Sequence, residues 1–124
     1  MREILFRGKA STEWVYGDLR HLNDGRVAVR KDGEIYPYEV IPETVGQYTG
    51  LTDKNGKRIF EGDVVNDKQS GYDYLIKWFP EYACFSLANR NGHMEFGCDE
   101  LEIFLNDLVV VGNIHDNPEF LKGE

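Results

Sequence analysis

Chain reversals are written into this sequence at short intervals, and they leave little room for long helices. Asn23-Asp24-Gly25, Lys31-Asp32-Gly33, Asn55-Gly56 and Asn91-Gly92 each put residues that accept positive φ where a two-stranded ribbon must turn back. Between the reversals, apolar residues alternate. Arg26-Val27-Ala28-Val29-Arg30 and Glu34-Ile35-Tyr36-Pro37-Tyr38-Glu39-Val40 run at period two and are rich in β-branched and aromatic side chains, which is the pattern of half-buried strands. Strands recurring about every 8–12 residues predict a mostly β protein, built of short antiparallel strands in a small barrel or sandwich. An α+β arrangement is the alternative.

With Glu13 to Leu19 as an earlier strand, a meander fills the first 40 residues. Pro37 has no N–H to donate, so its strand is expected at an edge or a bulge. Asn55-Gly56, flanked by Leu51 and Ile59-Phe60, is the strongest hairpin signal. A strand then begins at Glu61-Gly62-Asp63-Val64-Val65. Tyr72 to Phe79 is a long strand, Pro80-Glu81 breaks it, Tyr82 to Ala88 returns, and His93-Met94-Glu95-Phe96 follows the next turn. Residues 98–105 read equally as helix or strand. Asn117 before Pro118 predicts one short C-terminal helical turn, with Phe120 and Leu121 folded onto the core. The chain is expected to be a single domain over 1–124, in two lobes: an N-terminal β meander over 1–45 and a small-barrel-like unit over 46–124. The stretch Val40 to Gly46 is the weakest pattern and the expected junction.

Charge narrows the partners. Residues 1–62 balance ten acids against ten bases, whereas residues 63–124 carry twelve acids against Lys68, Lys77, Arg90 and Lys122, so the whole net charge of −8 lies in the second half. Tracking a phosphate backbone needs clustered Lys and Arg, so direct nucleic-acid binding is disfavoured. The apolar runs are far shorter than the roughly 20 residues of a membrane-spanning helix, and Met1 to Arg7 does not have the pattern of a signal peptide. The expected setting is therefore soluble and cytoplasmic, where Cys84 and Cys98 are free thiols by default. A zinc site from Cys84, His93, Cys98 and His115 has spacings that match no paired-ligand pattern, and no metal or cofactor is called for.

Catalytic motifs are equally scarce. The sequence contains no nucleophile elbow, P-loop, dinucleotide-binding turn or H-E-x-x-H helix. Asp53, Glu61, Asp63 and Asp116 are the acids from which a metal-dependent hydrolase or nuclease site would have to be assembled. Aromatic residues are abundant instead. Seven Tyr, seven Phe and two Trp exceed what a small core needs, and Trp14, Tyr16, Tyr36, Tyr38, Tyr72, Tyr74 and Trp78 are residue types that anchor interfaces.

Two segments go beyond generic β pattern. One runs from Gln47-Tyr48-Thr49-Gly50-Leu51-Thr52-Asp53 through Lys54-Asn55-Gly56-Lys57-Arg58-Ile59-Phe60 to Glu61-Gly62-Asp63-Val64-Val65; the other is Val111-Gly112-Asn113-Ile114-His115-Asp116-Asn117-Pro118-Glu119-Phe120-Leu121. With the opening Arg2-Glu3-Ile4-Leu5-Phe6-Arg7, they closely resemble the YopX family of bacteriophage and prophage proteins. That resemblance implies a small β-rich protein acting in the bacterial host cytoplasm, and implies no reaction. Gly50, Gly56, Gly62, Asp63, Gly112, Asn113, Asn117 and Pro118 are the expected structural positions of the two segments. The polar residues of the first, Tyr48, Thr49, Asp53, Lys54, Asn55, Lys57 and Arg58, are the candidate binding surface. The expected function is a non-enzymatic interaction or self-assembly module, whose partner is a protein or a second copy. An acidic DNA mimic, or regulator of a host nucleic-acid-binding protein, is the alternative; the hydrolase or nuclease is a second one.

Overall fold

In a computed structural model that describes residues 3–95, 97–98 and 100–122, the turn signals separate nine strands. They are β1 (Phe6–Ala10), β2 (Glu13–His21), β3 (Val27–Arg30), β4 (Tyr38–Thr52), β5 (Arg58–Phe60), β6 (Asp63–Asp67), β7 (Asp73–Phe79), β8 (Cys84–Ala88) and β9 (Leu108–Asn113). Among the described residues, helix is confined to α1 (Glu100–Ile103) and to 3-10 turns at Leu105–Asp107 and Pro118–Lys122. The protein is mostly β and antiparallel, and it divides into two compact units, residues 1–50 and 51–124.

In the first unit the sheet order is β1-β2-β3-β4, and β4 pairs back onto β1, so the sheet closes on itself as a ring. Val15, Val27, Val29 and Val40 point inward and form its buried core. Gly17, opposite Phe6, has no substitute here, because a Cβ at that position would overlap the backbone carbonyl of Arg30. Where β1 meets β4 the register shifts between Arg7 and Lys9. Pro42 lies inside that shift, between Ile41 and Gly46, and has no N–H for a ladder. Thr44 compensates: its hydroxyl accepts the Lys9 N–H at 2.8 Å and donates to the Ile41 carbonyl at 2.6 Å.

The second unit holds a four-stranded sheet in the order β8-β7-β6-β9, covered on both faces. Period-two alternation sorts its side chains. Val65, Tyr74, Ile76 and Leu87 pack with Ile59, Leu101 and Leu108, while Val64, Leu75, Phe79 and Ala88 pack with Phe120. Ile59, Ile76, Leu87 and Leu108 are fully buried, which at about 1.5–3 kcal/mol each makes this cluster the main source of stability in the unit.

Several expectations are corrected. The strand expected from Glu34 starts only at Tyr38, because Pro37 offers no donor and restricts Tyr36 before it. Tyr82 and Ala83 belong to the turn before β8, with Ala83 at φ +51. The strand expected at 93–96 amounts to a single bridge, Ala88 with Met94; Phe96 lies outside the described residues, as do Asp99, Met1 and Arg2. The open choice at 98–105 resolves to α1, whose Leu101 enters the core. At the C-terminus Phe120 is buried, but Leu121 stays exposed.

The cysteines are not free. Cys84 and Cys98 form a disulfide with Cα atoms 6.0 Å apart, because the chain leaving the 89–93 turn runs back alongside β8 and brings Cys98 opposite its first residue.

Candidate functional site

Within the family-like central segment, the turn after β4 is organised by one carboxylate. Asp53 Oδ1 accepts the N–H groups of Asn55 (2.8 Å) and Lys57 (2.9 Å), and its Oδ2 accepts the Val110 N–H of β9 at 2.9 Å. The Lys54 N–H adds a bond to the Leu108 carbonyl at 2.9 Å, so the turn is tied to β9 at two points. Gly56 makes the turn possible, since its φ of +84 strains any residue with a Cβ. Burial pushes the Asp53 carboxyl upward, but the donated N–H groups of Val110, Lys57 and Asn55, with the Lys57 charge, outweigh it and hold the group below its ordinary value.

The other named positions act in the same way. Asp63 Oδ2 accepts the Phe60 N–H at 2.7 Å and closes the turn into β6. Gly62 within that turn donates to the Ile76 carbonyl and accepts from the Ile114 N–H, which ties it to β7 and to the end of β9. Asn113 Oδ1 accepts the N–H groups of His115 and Asp116, and Asn117 Oδ1 accepts the Asn113 N–H, so the chain curls into the 3-10 turn that begins at Pro118. Gly112 gives way to Asn117, whose side-chain amide occupies the space of a Cβ there.

The structure therefore splits the candidate binding residues. Asp53 is buried and spent on backbone donors, whereas Lys54, Asn55, Lys57 and Arg58 are exposed along the turn and β5. Tyr48 and Thr49 are buried in the first unit, on the stretch of β4 that ends at Gly50. Asp63 is buried like Asp53, Asp116 is exposed beside Asn113, and no group of three or more His, Cys, Asp or Glu among the described residues is arranged to hold a metal ion. The four proposed zinc ligands are not available as a set, because Cys84 and Cys98 are bonded to each other.

The most exposed large apolar side chains lie elsewhere, in the loop between β3 and β4. Ile35 is 82% exposed and Tyr36 is 80% exposed, with Pro37 and Tyr38 following. The loop beneath them is braced. Glu34 N–H donates to the Lys31 carbonyl at 3.1 Å, Arg30 donates to the Glu34 carbonyl at 3.0 Å, and the same guanidinium holds Asp18 at 2.7 Å. The Tyr38 hydroxyl donates to Glu34 Oε1 at 2.7 Å, which raises the phenol above its ordinary value, and Lys31 Nζ stands 4.8 Å from the Tyr38 ring centre. Gly33 to Tyr38 together line an open surface concavity. Of the other aromatics singled out, Tyr74 is buried, Trp14 is half-buried with the Arg7 guanidinium 4.7 Å from its ring centre, and Tyr16, Tyr72 and Trp78 are exposed.

A family model described as YopX protein matches residues 5–122, nearly the whole chain and both structured segments. The chain belongs to the YopX family. Among solved structures it is similar to protein EF1440 from Enterococcus faecalis, at 22% sequence identity and a TM-score of 0.59, over 98% of this chain and 99% of that one. At that identity the likeness speaks for the fold alone. No curated protein matches.

Sequence reasoning named Tyr36 and Tyr38 as anchors but placed them with Ile35 in a strand. Pro37 was read as the mark of an edge or a bulge, whereas it ends the loop. By ending the loop one residue before β4, it leaves Ile35 and Tyr36 outside any ladder and outside the core.

Proposed function

We propose that this YopX-family protein is a non-enzymatic interaction module that meets a protein partner through the braced loop Gly33 to Tyr38. Phage or prophage origin and action in the host cytoplasm are what the family implies. The carrying observation is the exposure of Ile35 and Tyr36 side by side on a loop fixed by Arg30, Lys31 and Glu34. Burying such a side chain is worth about 1.5–3 kcal/mol, and the loop leaves that gain for an association. Tyr is enriched among residues that dominate interface energies, and a pre-braced loop has less ordering entropy to lose on binding. Lys31, Asp32 and Glu34 around the tip supply charges of both signs, the usual rim of an apolar contact.

Contact by side chains also suits the closed ring of β1 to β4, where strand edges are already paired. The family-like segments, by contrast, spend their polar groups on their own turns, which favours a folding role for them.

The test compares the parent protein with Ile35→Ser/Tyr36→Ser by size exclusion with light scattering, and by affinity capture from bacterial cells with mass spectrometry. The reading expects a second copy or a bound protein that the double variant loses while its melting temperature holds. An identical profile for both proteins contradicts it.

A further inference from the structure

We infer that Cys84–Cys98 is a redox-operated latch over the outer edge of β8. One side of β8 pairs with β7 along its whole length, from Leu75 with Ala88 to Phe79 with Cys84. The other side is covered by the segment that returns from the 89–93 turn. Met94 bridges Ala88, the Glu95 N–H donates to the Leu87 carbonyl at 3.0 Å, the Ser86 hydroxyl donates to the Gly97 carbonyl at 3.0 Å, and the disulfide closes the far end. Among the described residues this cover makes one ladder bridge to β8, at Met94.

The two ends of the cover are held by different means. At the turn, Asn89 Oδ1 accepts the N–H groups of Asn91 and His93, and its amide donates to Glu95 Oε2 at 3.1 Å. At the far end, among the described residues, the Ser86–Gly97 bond and the covalent link cross to β8. Beyond Cys98 the chain enters α1, whose Leu101 sits in the core with Ile76 and Leu87. The latch therefore stands between a firmly tied turn and a short helix anchored in the core by Leu101, and it controls the stretch in between. Both cysteines are half-buried, so an attacking thiolate has a path to the sulfurs.

The chemistry is thiol–disulfide exchange with a dithiol reductant. One thiolate of the reductant attacks a sulfur of the pair, forms a mixed disulfide and releases the other cysteine as a thiolate, which takes up a proton. The second thiol of the reductant then displaces the remaining cysteine. Two electrons and two protons end on Cys84 and Cys98, and the reductant leaves as its own disulfide. Without the link, the cover opens from the Cys98 end, and the edge of β8 around Phe85 and Leu87 is exposed. Unpaired strand edges are the parts of a sheet that accept new strands, so the change of state is also a change of surface.

Hydrogen exchange read by mass spectrometry on the whole protein tests this, with thiols counted by alkylation in parallel. The oxidised protein is expected to yield no alkylated cysteine and the dithiothreitol-treated protein two. Reduction is expected to speed exchange about tenfold or more at 94–98 and at Phe85 and Leu87, to leave β6 and β7 protected, and to reverse on reoxidation. Cys98→Ser is expected to show the reduced pattern without reductant. Two alkylated cysteines in the air-oxidised protein overturn the latch. So does an exchange map unchanged by reduction, and so does loss of protection throughout the second unit, which makes the disulfide a general brace.

Discussion

The Asp53 carboxylate accepts N–H donors from Asn55 and Lys57 in its own turn and from Val110, 57 positions along the chain. Removing it leaves three amide hydrogens without their acceptor, so Asp53→Ala is expected to cost about 3 kcal/mol in denaturant unfolding. The pH dependence follows from the same contacts. The folded carboxyl titrates below its ordinary value of 3.8, so its contribution is fully present above that value and is lost as pH falls through the folded value. The stability gap between the parent and Asp53→Asn is therefore expected to be constant near neutrality and to shrink below about pH 4. Gly17 is a second sensitive position, for a steric reason. A Cβ there meets the Arg30 carbonyl, which is backbone and cannot swing away, so Gly17→Ala is expected to cost about 1–3 kcal/mol by the same measurement.

The strands and turns were legible where their signals were local. Asn55-Gly56 does make a turn into β5, and the alternation of residues 73–79 does sort two opposite faces of a sheet. Replacing Asn55-Gly56 by Ala-Ala is expected to lower stability by about 1–2 kcal/mol, since a side chain at φ +84 is strained even with open space around it. The element ends were less legible, and Pro37 shows why. Alternation at Glu34 to Val40 is a pattern of side chains, but a ladder also needs donors, and the chain begins to pair only at Tyr38. The cover over β8 was illegible for a different reason. Its position rests on one bridge, two hydrogen bonds and a disulfide to residues 6 to 14 positions away, and none of these has a periodic signature.

What spans the molecule was least visible beforehand. The pairing that closes the first unit joins Phe6 to Gln47, and the one that completes the second joins Asp63 to Asn113, and register over such separations is set by which faces must be buried. The charge asymmetry was read correctly as a composition, but its meaning changed. Asp63 and Asp67, two of the acids in the negative half, are buried at the two ends of β6, where they accept backbone and hydroxyl hydrogens from the adjoining turns. The candidate site shifted for a related reason. Polar residues in the family-like turn looked available for a ligand, yet the one at its centre holds the fold together, while the apolar tip at Ile35 and Tyr36 is held out from it.

This division of labour is tested most directly by thermal unfolding of Asp53→Asn and Ile35→Ser/Tyr36→Ser beside the parent protein at neutral pH. The account predicts a melting temperature lowered by several degrees for Asp53→Asn and unchanged within about one degree for the double variant. A stable Asp53→Asn beside a destabilised double variant would contradict it, making the family-like turn the free surface and the aromatic loop part of the fold.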